Sequence, residues 1–153
     1  MLFRSLGPLF ARNNGLIDPA KPWPKRPGGQ VVWLHAPRRA DRGVVADLVA
    51  RLSELRPDLC VLVTTYEPGA PPEFTNPCIH QTSPPDTQAA TQAFLAHWMP
   101  DIAVWLSGNL RPAIIASAAA CDTSLCLLDI GSAFAASRQW RFWPGLTRST
   151  LRR

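Results

Sequence analysis

Apolar positions along the chain fall into short unbroken runs separated by stretches with helical spacing. Val31-Val32-Trp33-Leu34-His35 follows Gly28-Gly29 and predicts a buried strand. Val44, Val45, Leu48, Val49, Leu52 and Leu55 then share one helical face, and the pattern stops at Arg56-Pro57. Leu59 to Thr65 predicts a second buried strand, and a short third is expected near Cys78–His80. Thr87 to Trp98 predicts a helix with Asp86 as its N-cap and Ala90, Phe94, Leu95 and Trp98 on one face. Ile102–Leu106 predicts a strand, Ile114–Ala120 a helix opened by Pro112, and Ser124–Ile130 a fifth strand. Residues 133–143 complete the series as a last helix.

Strands that are apolar throughout, alternating with helices, indicate a parallel sheet covered on both faces. The expected fold class is α/β, a Rossmann-like sheet with right-handed crossovers. Ligands of such sheets bind beyond the carboxyl ends of the strands, so the informative loops follow His35, Thr65, Leu106 and Ile130.

The flanks differ from this core. Residues 1–14 place Leu2, Phe3, Leu6, Leu9 and Phe10 near helical spacing with Arg4 and Arg12 between them, as in a short interfacial helix, although Gly7-Pro8 interrupts it. Residues 18–29 hold four prolines and two glycines and read as a linker with no core of its own. The expected organisation is a basic segment and linker over 1–30, a Rossmann-like domain over 31–146 and a basic tail over 147–153.

Composition sharpens this picture. The chain has 153 residues, 46% of them hydrophobic, which suits one folded domain, and no apolar run reaches membrane-spanning length. The four cysteines form no CxxC pair, and no signal-peptide layout begins the sequence. A disulfide scaffold and a zinc ribbon are poor fits, and the thiols are expected to be buried small hydrophobes. The formal charge of +5 is unevenly placed. Residues 1–42 carry eight Lys/Arg against Asp18 and Asp41, residues 43–137 carry nine acids against Arg51, Arg56 and Arg111, and residues 138–153 carry five arginines and no acid. Basic ends around an acidic middle suit an anionic partner, or are simply solvated termini.

Two loops carry the candidate chemistry. After the first strand, His35-Ala36-Pro37-Arg38-Arg39-Ala40-Asp41-Arg42 sets one carboxylate among three guanidinium groups. Asp41 there is a base or a helix cap, and the arginines either cradle an anion or face water. After the fourth strand, Ser107-Gly108-Asn109-Leu110-Arg111-Pro112 can bind anions through free backbone amides at the next helix start. No GxGxxG, P-loop, GxSxG or metal-spaced histidine pair is present. His97 reads as a partly packed side chain, and Trp98, Trp105 and Trp140 read as core rather than a base-stacking platform.

Several of these pieces, in order, resemble one family. VVWLHAPRRAD, then an amphipathic helix and RPDLCVLVTT, is similar to the amino-terminal half of the 3-deoxy-D-manno-octulosonic acid (Kdo) transferases. There the first strand ends in a WLHAxSVGE-like sequence and the second in VLVTT. The similarity continues through Pro85-Asp86, FLAHWMPDIAVW (94–105), Leu110, Pro112 and SRQWRFWPGL (137–146), so it covers roughly residues 31–146.

The resemblance implies a GT-B glycosyltransferase of lipopolysaccharide synthesis, peripheral on the cytoplasmic face of the inner membrane. Such enzymes move Kdo from CMP-Kdo to a lipid A precursor without a catalytic metal. Their amino-terminal domain binds the glycolipid acceptor and their carboxy-terminal domain the nucleotide donor. It implies no cofactor and no nucleic acid. The partners it implies are an anionic glycolipid or its membrane surface and a separate donor-domain protein.

The departures bear on activity. The family's general-base glutamate falls on Asp41, and the preceding Ser-Val-Gly becomes Arg38-Arg39-Ala40. The family's ETELWPN becomes Ser107-Gly108-Asn109-Leu110-Arg111-Pro112-Ala113, so both glutamates are lost and Arg111 stands for the tryptophan. The NAR-like sequence after the fifth strand becomes Asp129-Ile130-Gly131, and the chain stops near where the second Rossmann domain would begin. The expectation is a Kdo transferase-like acceptor domain, impaired or dependent on a separate donor domain. Asp41 is its catalytic candidate, and His35, Arg38, Arg39, Ser107, Asn109 and Arg111 are its substrate-binding candidates. The alternatives are a non-catalytic glycolipid-binding or scaffold protein, or a remnant without function.

Overall fold

The computed structural model describes residues 23–37, 41–66, 74, 76–106, 111–121 and 123–128. The predicted interfacial helix at 1–14, the last helix at 133–143 and Trp140 lie outside them. Eight elements follow one another: β1 (Val31–His35), α1 (Arg42–Leu55), β2 (Cys60–Thr65), β3 (Ile79–Thr82), α2 (Gln88–Trp98), β4 (Ile102–Trp105), α3 (Pro112–Ala120) and β5 (Ser124–Leu127). The strands form one sheet in the order β3-β2-β1-β4-β5, and every pairing is parallel. The expected α/β, Rossmann-like class is therefore the observed one.

Alternation of side chains across the sheet divides the core in two. Val31 and Trp33 of β1 face Phe94, Leu95 and Trp98 of α2 and Ile114, Ile115 and Ala118 of α3. Val32 and Leu34 face Val45 and Val49 of α1, with Val61 and Val63 of β2 beside them. Strand β1 is buried at all five positions because it is central and covered on both faces. Of the tryptophans expected in the core, Trp98 and Trp105 are fully buried; so is Trp33 of β1, and the Trp33 and Trp105 rings meet edge to face at 6.0 Å. At the sheet's edge, β5 leaves Ser124 and Cys126 exposed while Leu125 and Leu127 pack inward.

Some expectations are corrected. Asp86 does not cap α2; Thr87 does, its Oγ1 accepting from Ala90 N at 3.3 Å. Thr87 has the extended backbone an N-cap needs, and this frees the Asp86 carboxylate for another helix. The cysteines are all free thiols, but none is fully buried: Cys60 and Cys78 are half-buried, and Cys121 and Cys126 are exposed, since one follows the last turn of α3 and the other points outward from the edge strand. The proline-rich stretch, over its described part, is docked rather than separate. Trp23 packs edge to face on Phe94 at 6.0 Å and lies 5.1 Å from the His97 ring, and His97 Nε2 meets the Pro24 carbonyl at 2.9 Å. Arg26 donates to the carbonyls of Trp98 at 2.7 Å and Met99 at 3.4 Å, placing a cation at the negative end of α2.

Candidate functional site

The strand order fixes where a ligand crevice opens. From β1 the chain moves through β2 to β3, then returns to the other side of β1 for β4. The connections leaving β1 and β4 enter helices on opposite faces of the sheet, α1 and α3. The carboxyl ends of β1 and β4 are thus the topological switch point, where doubly wound sheets bind their ligands. The two loops singled out in the sequence are the ones that leave the carboxyl ends of β1 and β4.

Of the candidate residues, Arg38, Arg39, Ser107 and Asn109 lie outside the described residues, as does Asp129-Ile130-Gly131. Asp41 occupies the N-cap position of α1 with helical backbone angles and no capping hydrogen bond from its side chain. His35 ends β1 at 1% exposure, and Arg111, just before α3, is 7% exposed.

The sheet separates two polar groups at this edge. On the α2–α3 face, His35 Nδ1 lies 2.8 Å from Thr64 Oγ1, which also accepts from Trp33 Nε1 at 2.8 Å. The His35 ring packs against Trp105 at 3.9 Å, tilted by 43°, and meets Tyr66 edge to face at 5.2 Å. The Arg111 guanidinium lies 5.2 Å over the Tyr66 ring, and its Nη1 donates to Ser83 Oγ at 2.8 Å. On the α1 face, Thr65 Oγ1 pairs with His80 Nε2 at 3.0 Å, close enough to Arg42 at the start of α1 to feel its charge.

Asp86 joins the first group and overturns one expectation. Its Oδ1 accepts from Ala113 N at 3.1 Å and Ile114 N at 3.3 Å, the opening amides of α3. Pro112 has no N–H, and Ile115 N already donates to the Arg111 carbonyl at 3.0 Å. No amide of this first turn remains for an external anion; the protein's own carboxylate fills the position foreseen for one. Tyr66, Ser83 and Asp86 were not among the sequence candidates. Tyr66 and Ser83 directly follow the ends of β2 and β3, so the rule that ligands gather at carboxyl ends was the signal available.

Burial and charge set the protonation states. Desolvation, reinforced by Arg111, holds His35 well below the ordinary histidine range, so its ring is neutral near pH 7. Burial pushes the Tyr66 hydroxyl up to about 12 despite Arg111, so it stays protonated. A depressed folded-state histidine lets the unfolded chain bind the proton first. Stability is thus full above the unfolded value near 6.5 and falls as pH drops below it toward the folded value. Urea midpoints taken from about pH 7.5 to about pH 5.5 are expected to fall, by about 1.4 kcal/mol of stability per pH unit below that value for His35. His80, lowered by burial and then Arg42, adds in the same direction. A His35→Phe variant keeping the full slope would contradict this.

A family model described as 3-deoxy-D-manno-octulosonic-acid transferase (kdotransferase) matches residues 11–153. The chain belongs to the Kdo transferase family. A protein of Arabidopsis thaliana named probable 3-deoxy-D-manno-octulosonic acid transferase, mitochondrial, is 28% identical over 119 residues, covering 75% of this chain and 27% of the relative. The 3-deoxy-D-manno-octulosonic acid transferases of Rickettsia conorii and Rickettsia felis are 25% and 24% identical, covering 74% of this chain and 25% and 24% of theirs. The chain thus spans about a quarter of the length of these Kdo transferases. No solved structure matches. Among the described residues no helix is long and apolar enough to cross a membrane.

Proposed function

We propose that this Kdo transferase-family chain is the acceptor-side lobe of a GT-B glycosyltransferase that passes Kdo from CMP-Kdo to a lipid A precursor. The observation that carries the reading is the family match over residues 11–153. The resemblance sets Asp41, the N-cap residue of α1, against the family's base. Asp41 takes the proton of the acceptor hydroxyl. The cationic side chains of the first loop, Arg38 and Arg39, bind the acceptor's phosphates. Ser107 and Asn109 contribute polar groups to acceptor binding. The nucleotide sugar comes from a second Rossmann lobe, and the basic ends hold the protein to the cytoplasmic face of the inner membrane. A scaffold role is less favoured, since each relative named above is a transferase.

Asp41 is one methylene shorter than glutamate, and a base must come within about 2.6–3.2 Å of the proton it removes. Transfer from CMP-Kdo to lipid A precursor is measured with the chain supplied with a Kdo transferase donor lobe. Asp41→Glu is expected to raise the rate about tenfold or more, and Asp41→Asn to lower it about a hundredfold. Absence of transfer in every combination, together with absence of glycolipid binding, sinks the reading.

A further inference from the structure

One rung crosses the sheet near its carboxyl edge. Gln81 pairs with Thr64, Thr64 with His35, and His35 with Trp105. Among the described residues five buried side-chain atoms lack a hydrogen-bond partner, and four lie on this rung: His35 Nε2, both amide atoms of Gln81 and Trp105 Nε1; the fifth is Trp98 Nε1. Buried polar atoms in folded proteins are almost always paired, so this concentration on a single rung marks a place that something else completes.

The partners fix which chemistry is missing. Trp33 Nε1 can only donate, and it donates to Thr64 Oγ1. The Thr64 hydroxyl keeps one lone pair and its own proton, and His35 Nδ1 at 2.8 Å is the other group within reach among the described residues, so giving that proton an acceptor calls for an unprotonated Nδ1. A neutral ring accepting at Nδ1 carries its own proton on Nε2, so the unpaired atom is a donor. Trp105 Nε1 is another, and Arg111 brings the positive charge, its field felt at His35. The opposing carboxylate, Asp86, is committed to the two amides of α3. Donors beside a cation exclude a metal ion and favour an oxyanion.

We propose that the Nε2–H of His35 and the Arg111 guanidinium, roofed by Tyr66, form an oxyanion subsite at the switch point, for a phosphate or carboxylate group. The subsite stands apart from the Asp41 chemistry, on the α2–α3 face of the sheet; assigning it to an anionic group of the glycolipid acceptor rests on the transferase reading. Arg111 acts here from a buried position, held over Tyr66 and tied to Ser83, as a fixed rather than a searching cation. Gln81 and Trp105 flank the subsite along the rung and set its width.

The experiment uses the full chain, with inorganic phosphate in one arm and acetate in the other, while the imidazole nitrogen signals of His35 are followed by NMR. The free protein is expected to show the Nε2–H tautomer, and one anion to move that signal saturably. Selectivity for phosphate names a phosphoryl group, and selectivity for acetate names a carboxylate. His35→Phe and Arg111→Gln, with native circular dichroism, are expected to weaken binding about tenfold or more. An Nδ1–H tautomer, no saturable shift with either anion, or undiminished binding in a folded His35→Phe overturns the subsite. The wild-type spectra decide even if a variant fails to fold. Phosphate binding without glycolipid binding keeps the subsite and removes only its assignment to the acceptor.

Discussion

Trp33→Ala is expected to cost the domain a large share of its stability. Trp33 is fully buried at the middle of the central strand, 4.9 Å from the Phe94 ring and 6.0 Å from Trp105. Removing so large a buried side chain costs about 3–5 kcal/mol in transfer and cavity terms. It also deletes the Nε1 donor to Thr64 Oγ1, the contact that orients the His35 ring. Set against a total stability of about 5–15 kcal/mol, the loss is a large share. Trp33→Phe keeps most of the apolar contact and loses the donor, so a smaller cost of about 1–2 kcal/mol is expected. Urea unfolding followed by far-UV circular dichroism reads both. A Trp33→Ala protein with a midpoint near that of the parent would show that the two-faced core is wrongly placed.

Asp86→Ala is expected to cost about 2–4 kcal/mol, because it strips the acceptor from two opening amides of α3 and the nearby countercharge from Arg111. The residue is 9% exposed, so water does not readily replace the carboxylate. Burial, its largest influence, pushes the carboxyl above the usual carboxylate range, against the opposite pull of Arg111 and the two amides. Asp86→Asn therefore relieves a desolvation cost while keeping one acceptor oxygen, and is expected to lose less than Asp86→Ala. Hydrogen exchange at Ala113 and Ile114 localises the effect. An Asp86→Ala variant within about 0.5 kcal/mol of the parent, with both amides still protected, would remove Asp86 from the helix start.

Both expectations rest on positions that sequence reading treated unequally. Trp33 lies in an apolar run whose burial is legible from its neighbours alone, since five successive apolar or aromatic positions after a glycine pair suit a central parallel strand. Asp86 also sits in a legible place, immediately before a helical pattern, and local logic assigns it to that helix. Thr87 competes for the same cap, and the carboxylate is drawn instead to amides 27 and 28 residues away. Capping signals are local in sequence, whereas a carboxylate's choice between two helix starts depends on which lies closer in space.

Arg111 shows the same limit from the other direction. In the sequence it is a cation in a polar loop beside a helix start, which reads as a solvent-facing anion binder. In the fold it is buried over Tyr66 and bonded to Ser83, two residues from the ends of other strands. Nothing in the spacing of residues 66, 83 and 111 announces that meeting, because the sheet order β3-β2-β1-β4 brings it about.

The residues alone settled the alternation of strand and helix, the parallel class, the tryptophan-rich core and the family likeness, since each depends on local periodicity or ordered motifs. Tertiary structure alone decided that the helices after β1 and β4 lie on opposite faces, that Asp86 serves α3 and that His35 and Arg111 meet against Tyr66. Those facts turn on distances between segments far apart in the chain, and strand order, rather than local pattern, sets those distances.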